Sequence, residues 1–249
     1  MGKNKLKRFA EMKDFACVLE YPRERLVTEG FPFTGKWGSE FFKADRPITL
    51  ELGCGKGEYT VGLARADAAR SFIGVDVKGA RIWRGAKTVE EEQIPNAAFL
   101  RAEIENIDKF FTPGEVDELW ITFPDPQMQK TRKRLTSTRF LTLYSRFLKP
   151  GGVINLKTDS PFLYKYTRRL VEANGFEVLA NTDDLYGSGR ADASTAIKTF
   201  YESQWLSRGK TIKLISFRLP ALPEEGYVEP KEDDIPKDDY RALCRPNPM

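Results

Sequence analysis

The stretch ITLELGCGKGE, residues 48–58, combines a short apolar run with three glycines at every second position. In parallel α/β sheets, ligands bind in such loops, beyond the carboxyl end of a strand and before the next helix. Glycine suits this position because it has no Cβ, so the backbone can approach a ligand closely. The stretch therefore predicts a strand over 48–52, a helix over 59–66 and a ligand-binding loop between them.

The following residues alternate between strand-like and helix-like segments, which is typical of a mostly parallel α/β sheet with helices on both faces. We predict seven strands, over 48–52, 71–77, 97–101, 116–123, 153–158, 176–180 and 211–219. The other helices are predicted over 79–93, 137–148, 161–174 and 194–207, with a turn at 149–152. We expect three segments: an N-terminal arm at 1–45, an α/β domain at 46–220 and a loosely ordered tail at 221–249.

The composition excludes several kinds of chemistry. The chain has 249 residues, three cysteines and no histidine, which excludes Ser-His-Asp or Cys-His nucleophilic catalysis and histidine-ligated metal sites. Cys17, Cys54 and Cys244 are too far apart in sequence for a zinc knuckle or a redox pair. No apolar run approaches the roughly 20 residues that span a bilayer, and the N-terminus lacks an apolar signal core. We therefore expect a cytoplasmic protein that binds neither a metal nor a membrane.

Charge is unevenly distributed although the formal net charge is only +4. Residues 224–239 contain eight acids and two lysines, which makes the tail acidic. Residues 3–13 contain five bases and one acid, and residues 126–149 contain seven bases and no acid. A single basic run is usually a solvated surface. These two runs are our predicted contacts to a polyanion, the second in particular because it directly follows a candidate reaction loop.

The residues around the glycine loop indicate a ligand without phosphates. Lys56 is not followed by Ser or Thr, as a P-loop requires, and Glu58 replaces the third glycine of the dinucleotide pattern. Glu51 and Glu58 favour a cation over a pyrophosphate. Asp76, which ends the second strand, has the spacing of an acid that binds both ribose hydroxyls, and Glu103 follows the third strand near a purine site. A positively charged adenine nucleoside of this kind is S-adenosylmethionine. Ordinary strand-end turns are the alternative.

The fourth strand leads into FPDPQMQKTRKRL, residues 123–135. Prolines on both sides of Asp125 stiffen the loop and hold that carboxylate at the sheet edge. A cluster of bases follows directly, comprising Lys130, Arg132, Lys133 and Arg134. A rigid acid beside dense positive charge suits a nucleobase that is part of a polyanion: the acid accepts base N–H groups and the cations contact phosphates.

At these residues the sequence resembles the bacterial tRNA (guanine-N7-)-methyltransferase family. The resemblance rests on ELGCGKG, on FPDP followed by bases that end in RLTSTRFL, on LKPGG, on KTDS from Lys157, and on Thr-x-x-Glu at 199–202. It covers roughly residues 45–219. It implies a class I methyltransferase (Rossmann-like) fold and transfer of a methyl group from S-adenosylmethionine to guanine N7 in the tRNA variable loop.

The resemblance also implies roles for individual residues. The cofactor is expected at Glu51, Gly53, Gly55, Asp76, Glu103 and Asp125, and Asp125 is also the expected catalytic group. The target guanosine is expected at Lys130, Asp159, Thr199, Phe200, Tyr201 and Glu202, and the tRNA backbone at Arg132, Lys133 and Arg134. Phe200 and Tyr201 either stack on the base or pack in the core.

Two other functions remain open at this point. A different class I methyltransferase, acting on a protein or a small molecule, would keep the glycine loop without needing the basic run after Asp125. An RNA-binding module on a degenerate scaffold would not need Glu51, Asp76 and Asp125 together. The oligomeric state is open between monomer and homodimer.

Overall fold

The computed structural model describes Arg8 and residues 10–239. The strands are β1 (Val18–Glu20), β2 (Ile48–Leu52), β3 (Ser71–Asp76), β4 (Ala97–Arg101), β5 (Val116–Thr122), β6 (Leu148–Thr158), β7 (Val178–Thr182) and β8 (Lys213–Leu219). The α-helices are α1 (Arg23–Thr28), α2 (Glu58–Ala66), α3 (Gly79–Glu92), α4 (Thr138–Tyr144), α5 (Pro161–Ala173) and α6 (Phe200–Ser207). A π-helical turn (Trp37–Phe42) and two 3₁₀ segments (Ile104–Phe110 and Thr131–Lys133) complete these elements.

One sheet contains all of these strands, in the order β1-β4-β3-β2-β5-β6-β8-β7. Neighbouring strands are parallel except for the two pairs that β8 forms with β6 and β7. The predicted fold class is confirmed, but the strand count of seven is wrong. The described chain has eight strands because Val18–Glu20, in the predicted arm, pairs with β4 at the sheet edge.

Two boundaries differ from prediction for identifiable reasons. The expected turn at 149–152 is a bulge inside β6: Val116 pairs with Leu148, but Glu118 pairs with Val153. The helix predicted over 194–207 begins only at Phe200. The ammonium of Lys157 binds the carbonyls of Thr195 and Ile197, so these two residues are held outside the helix.

Each face of the sheet has its own apolar core, which alternating side chains of the strands supply. In β3, Phe72 packs with α2 and α3 on one face. Ile73 points to the opposite face and belongs to the second core, which also contains residues of α4 and α5. Because the central strands are covered on both sides, their carboxyl-end loops are the part of the sheet that is open to a ligand.

The two flanking segments pack on this sheet. Trp37 is completely buried, and its indole donates a hydrogen bond to the Phe110 carbonyl. In the tail, Ile235 and Asp238 are buried, so the described part of the tail is ordered against the domain. The boundaries at 45/46 and 220/221 stay a prediction.

Two findings concern the described residues only. None of their helices is both long and apolar enough to cross a bilayer. Most of the predicted N-terminal basic cluster, namely Lys3, Lys5 and Lys7, lies outside the described residues, as does Cys244.

Candidate functional site

The glycine loop leaves open space where a ligand would lie. Gly53 and Gly55 have φ of +80° and +56°, and a Cβ added to either would meet no atom within 4 Å. Gly57 differs, because a Cβ there would collide with the Phe99 ring at 2.5 Å. The first two glycines therefore keep a surface free, and the third allows α2 to pack closely on the sheet.

Asp76 connects the glycine loop to the next loop along the sheet edge. Its carboxylate accepts hydrogen bonds from the backbone N–H of Gly55 at 3.0 Å and of Lys78 at 2.7 Å. The side chain is 9% exposed. A carboxylate has about four acceptor positions, so two remain available to hydroxyl groups of a ligand.

Glu51 is buried at the end of β2 and fully engaged by its neighbours. One carboxylate oxygen accepts the Thr122 hydroxyl at 2.6 Å, and the other accepts the hydroxyl and the backbone N–H of Thr60. Burial raises the pKa of Glu51 to about 7, although these three hydrogen bonds favour the ionised form. A cationic group beside this carboxyl would favour its ionised form.

The titration of Glu51 predicts a pH dependence of stability. Its pKa of about 7 in the folded chain exceeds the ordinary value of 4.5, so the folded state binds the extra proton between these pH values. The free energy of unfolding therefore falls as pH rises through this window, by about 3 kcal/mol in total. We expect the Tm of the wild type to drop more between about pH 5 and pH 8 than that of Glu51→Gln. Parallel pH profiles of the two proteins would contradict this assignment.

A cleft of about 680 Å³ lies at the carboxyl ends of β2 to β5. Its walls include three of the predicted acids, namely Asp76, Glu103 and Asp125, together with Gly53. A smaller pocket of about 90 Å³ continues from it past Gly53 and Phe123, lined also by Glu51, Gly55, Thr199 and Tyr201. The volume of the cleft lies within the usual range for small-molecule sites, and the strand order reverses at β2 directly beneath it.

Glu103 and Asp125 face this cleft from opposite sides of β2. Glu103 directly precedes the 3₁₀ segment after β4, and its carboxylate accepts a hydrogen bond from the Asn106 side-chain amide at 3.0 Å. Asp125 is exposed and accepts the backbone N–H of Gln127 at 3.1 Å, which forms a tight local turn. The six predicted cofactor residues are thus brought together around two adjoining pockets.

The predicted guanosine residues separate into exposed and buried groups. Phe200 and Tyr201 are about half exposed, at 50% and 48%, so their packing in the core is excluded. The Lys56 ammonium lies 4.3 Å from the centre of the Phe200 ring. Thr199 lines the small pocket and, together with Glu202, forms a capping box at the start of α6. The Thr-x-x-Glu signature therefore stabilises the N-terminus of α6.

Glu202 and Asp159 are buried, which conflicts with direct contact to a guanosine. The Glu202 carboxylate binds the Lys157 ammonium at 2.8 Å and the Tyr186 hydroxyl, and neither charged group of this pair is exposed. Desolvation lowers the pKa of Lys157, and the Glu202 charge opposes that shift. Asp159 is 1% exposed. We correct both assignments: Glu202 fixes the start of α6, and Asp159 is buried directly after β6.

The basic run also separates into two groups. Lys130, Arg132 and Lys133 are exposed, and within the described residues none of them forms an ion pair. Lys133 lines the large cleft close to Asp125, whereas Lys130 does not. Arg134 is completely buried, so the prediction that it contacts RNA is wrong.

Sequence reasoning missed two cations of the cleft. Arg81 lines both pockets, and Lys78 lines the large one. Both lie at the start of α3, directly after Asp76. Residues in the first turn of this helix lie near the carboxyl ends of the strands. The short spacing of Lys78 and Arg81 from Asp76 could therefore have predicted their place in the cleft.

Comparisons with known proteins agree with this site. A family model described as "Putative methyltransferase" matches residues 45–215. The tRNA (guanine-N(7)-)-methyltransferase of Bacteroides thetaiotaomicron is 51% identical over 98% of this chain and 96% of its own length. The enzyme of that name from Porphyromonas gingivalis is 54% identical over 94% of this chain and 96% of its own length. This chain belongs to the tRNA (guanine-N7-)-methyltransferase family. The predicted family is thereby confirmed.

Solved structures show the same fold at much lower identity. The 16S rRNA methyltransferase KamB has a TM-score of 0.56 at 13% identity, covering 81% of this chain and 95% of that one. A 30S ribosomal A1408 methyltransferase from an uncultured bacterium has a TM-score of 0.52 at 19% identity over the same shares. This chain therefore shares the class I methyltransferase architecture.

Proposed function

We propose that this chain is a tRNA (guanine-N7-)-methyltransferase, which transfers a methyl group from S-adenosylmethionine to N7 of the guanine in the tRNA variable loop. The observation that carries the proposal is that the acid-flanked glycine loop and Asp125 face each other across one cleft. The names of the two relatives, aligned over 98% and 94% of this chain, support the same substrate. Since tRNA matures in the cytoplasm, we also propose a cytoplasmic location.

The residues present fit S-adenosylmethionine. This cofactor supplies a methyl group bonded to a positively charged sulfur. Asp76 has free acceptor positions for the ribose hydroxyls. Glu51 lines the small pocket, where a cationic group would favour its ionised form. The space above Gly53 and Gly55 is open to a ligand. Three bases, Lys78, Arg81 and Lys133, line the cleft beside its acids, and the carboxylates of Glu51 and Glu58 next to the glycine loop suit a cationic centre.

For this reaction the protein mainly has to align the cofactor and the target guanine. Guanine N7 carries an in-plane lone pair, so no base has to deprotonate it, and the absence of His is no obstacle. Asp125 accepts the N1–H and N2–H groups of the guanine and so orients N7 toward the methyl group. Holding two reactants in line can lower the barrier by about 7–11 kcal/mol. The carboxylates of the cleft offset the positive charge that develops on the purine.

Two rival functions give different results in simple assays. A methyltransferase for a protein or small molecule does not explain the exposed run of Lys130, Arg132 and Lys133 beside the cleft. A degenerate RNA-binding module would bind tRNA but not the cofactor. A thermal-shift assay with S-adenosylmethionine separates the second rival, since a protein with a competent site is stabilised by its ligand.

The decisive experiment combines labelled S-adenosylmethionine with an unmodified tRNA transcript, followed by chemical cleavage at N7-methylated guanine. We expect one cleavage site, within the variable loop. A matched transcript with adenosine at that position should accept no label. Label incorporated at another base or at another atom would overturn the proposal.

Binding of tRNA is expected to depend steeply on salt, because phosphate contacts release counterions. Arg132 and Lys133 are exposed next to the cleft, so removing both should lower the slope of log Kd against log salt by about 2. Lys165→Ala, at an exposed lysine of α5, is the matched control and should leave the slope unchanged. Filter binding at three salt concentrations measures the slope. Equal slopes in the double variant and the wild type would exclude these two residues as phosphate contacts.

A further inference from the structure

The acidic tail is bound to the domain through specific carboxylates. Glu229 accepts the backbone N–H and the hydroxyl of Thr138 at the start of α4. Asp234 forms a two-fold ion pair with Arg169, at 2.6 and 2.7 Å. Two further tail carboxylates contact buried groups: Asp238 accepts the backbone N–H of Phe162 and the Ser160 hydroxyl, and Glu232 pairs with buried Arg134.

Arg134 connects this tail to the loop that carries Asp125. Its guanidinium donates to the carbonyls of Pro126 at 3.3 Å, Gln127 at 3.2 Å and Met128 at 3.4 Å. The opposite edge of the same group forms a two-fold ion pair with Glu232. One buried cation thus joins three consecutive carbonyls of the loop to one acid of the tail.

Glu232 and its neighbours hold the loop from two further directions. The Thr131 hydroxyl donates to Glu232 at 3.0 Å, and the backbone N–H of Asp238 lies 3.1 Å from the Met128 sulfur. The Arg134 guanidinium also lies over the rings of Phe162 and Tyr166, at 4.8 and 4.4 Å from their centres. Three carbonyls, one carboxylate and two aromatic rings therefore contact this guanidinium, which fixes its position.

The backbone next to Asp125 needs such support. Phe123 and Gln127 have φ of +49° and +47°, a region that residues other than glycine rarely adopt. Each such residue costs about 1–3 kcal/mol, and the conformation persists only where surrounding contacts enforce it. The carbonyl of Gln127 is one of the three that Arg134 holds. Relaxation of this turn would move Asp125, whose carboxylate accepts the Gln127 N–H.

We propose that Arg134 and Glu232 are positioning residues for methyl transfer: the tail acid orients a buried guanidinium, which holds the Asp125 loop in its strained conformation. This inference rests on the proposed function, because the position of Asp125 matters only if it receives the target base. It gives the acidic tail a role in catalysis, through the geometry of a loop that the tail itself does not enter.

Glu232→Gln tests the proposal, with Asp234→Asn as the matched control. Each variant removes one tail charge, but Asp234 pairs with a surface arginine, away from the loop. For Glu232→Gln we expect kcat to fall about tenfold to a hundredfold while KM for cofactor and for tRNA stays within about threefold. Asp234→Asn should retain the kcat of the wild type. All assays are run at a temperature where circular dichroism shows each variant to be folded.

Arg134→Lys is a second variant that tests the same proposal if Glu232→Gln does not fold. Lysine preserves the buried positive charge opposite Glu232, but its single nitrogen lacks the forked geometry that reaches three carbonyls. We expect the same fall in kcat, together with faster amide hydrogen exchange across residues 123–134. This exchange measurement does not depend on activity.

The outcomes of these assays separate the two proposals. If the wild type methylates tRNA and both loop variants keep its kcat and its amide exchange, the positioning role is wrong. An equal loss in Asp234→Asn would also refute it, because the effect would then follow from tail charge alone. A wild type without activity on tRNA would refute the proposed function, and the exchange data would still report whether Arg134 holds the loop.

Discussion

Replacing Asp125 by Asn should reduce kcat for tRNA methylation by about 100-fold or more, while the Kd for S-adenosylmethionine changes by less than about fivefold. The asparagine oxygen can still accept the backbone N–H of Gln127, so the local turn is retained. The second carboxylate oxygen becomes an NH₂ group that faces a guanine donor. A donor left unpaired in a closed site costs about 1–3 kcal/mol, in addition to the lost charge. Single-turnover kinetics with labelled cofactor measure the effect.

A modified substrate sharpens this prediction. A tRNA with inosine at the target position lacks the N2 amino group, so it should be a poor substrate for the wild type. Asp125→Asn should discriminate less between the two tRNAs, since one partner of the contact is already lost. Asp233→Asn, at an exposed aspartate of the tail, is the control and should behave as the wild type. Near-normal turnover of Asp125→Asn would remove this residue from the mechanism.

Replacing Asp76 by Ala should weaken cofactor binding by about 100-fold or more, because hydrogen bonds to a charged acceptor each contribute roughly 1.5–3 kcal/mol. The variant loses the acceptor for ribose hydroxyls. It also leaves the N–H groups of Gly55 and Lys78 without their partner, so the glycine loop is less well held. Isothermal titration calorimetry with S-adenosylmethionine measures the Kd directly.

Asp67→Ala is the matched control for this substitution. Asp67 also accepts a backbone N–H two residues along the chain, from Ala69, but it lies at the opposite end of α2. Its replacement should leave the Kd for the cofactor unchanged. In both variants the affinity for tRNA should stay within about twofold of the wild type, since neither residue belongs to the basic run. Unchanged cofactor affinity in Asp76→Ala would contradict the assignment of the pocket.

Local sequence signals were sufficient to place a residue that directly follows its own strand. The bounds of β2 and β4 agree with those predicted, because an apolar run with a glycine or polar stop specifies a buried parallel strand without help from elsewhere. The carboxyl ends of neighbouring parallel strands meet at one sheet edge. The positions of Glu51, Asp76, Glu103 and Asp125 around adjoining pockets therefore follow from their places in the sequence.

Local sequence signals could not predict contacts between segments that are distant in the chain. In the sequence, Arg134 is one more base in a run expected to be exposed. Its burial depends on the ion pair with Glu232, which lies 98 residues later in the chain. In the sequence, Glu202 is a candidate contact to guanosine. In the structure its charge is paired with Lys157 of β6, which lies 45 residues earlier in the chain. In each case a charge is paired across the fold, and only the paired state makes its burial tolerable.

By itself, the sequence determined the parallel α/β sheet, the ligand-binding edge and the acids placed there, since hydrophobic periodicity and glycine conformations act over a few residues. Only the tertiary structure decided which charges face solvent and which brace the interior, where the tail lies, and where α6 begins. The physical reason is that desolvation and charge pairing depend on neighbours brought together by folding, and the chain order does not reveal those neighbours.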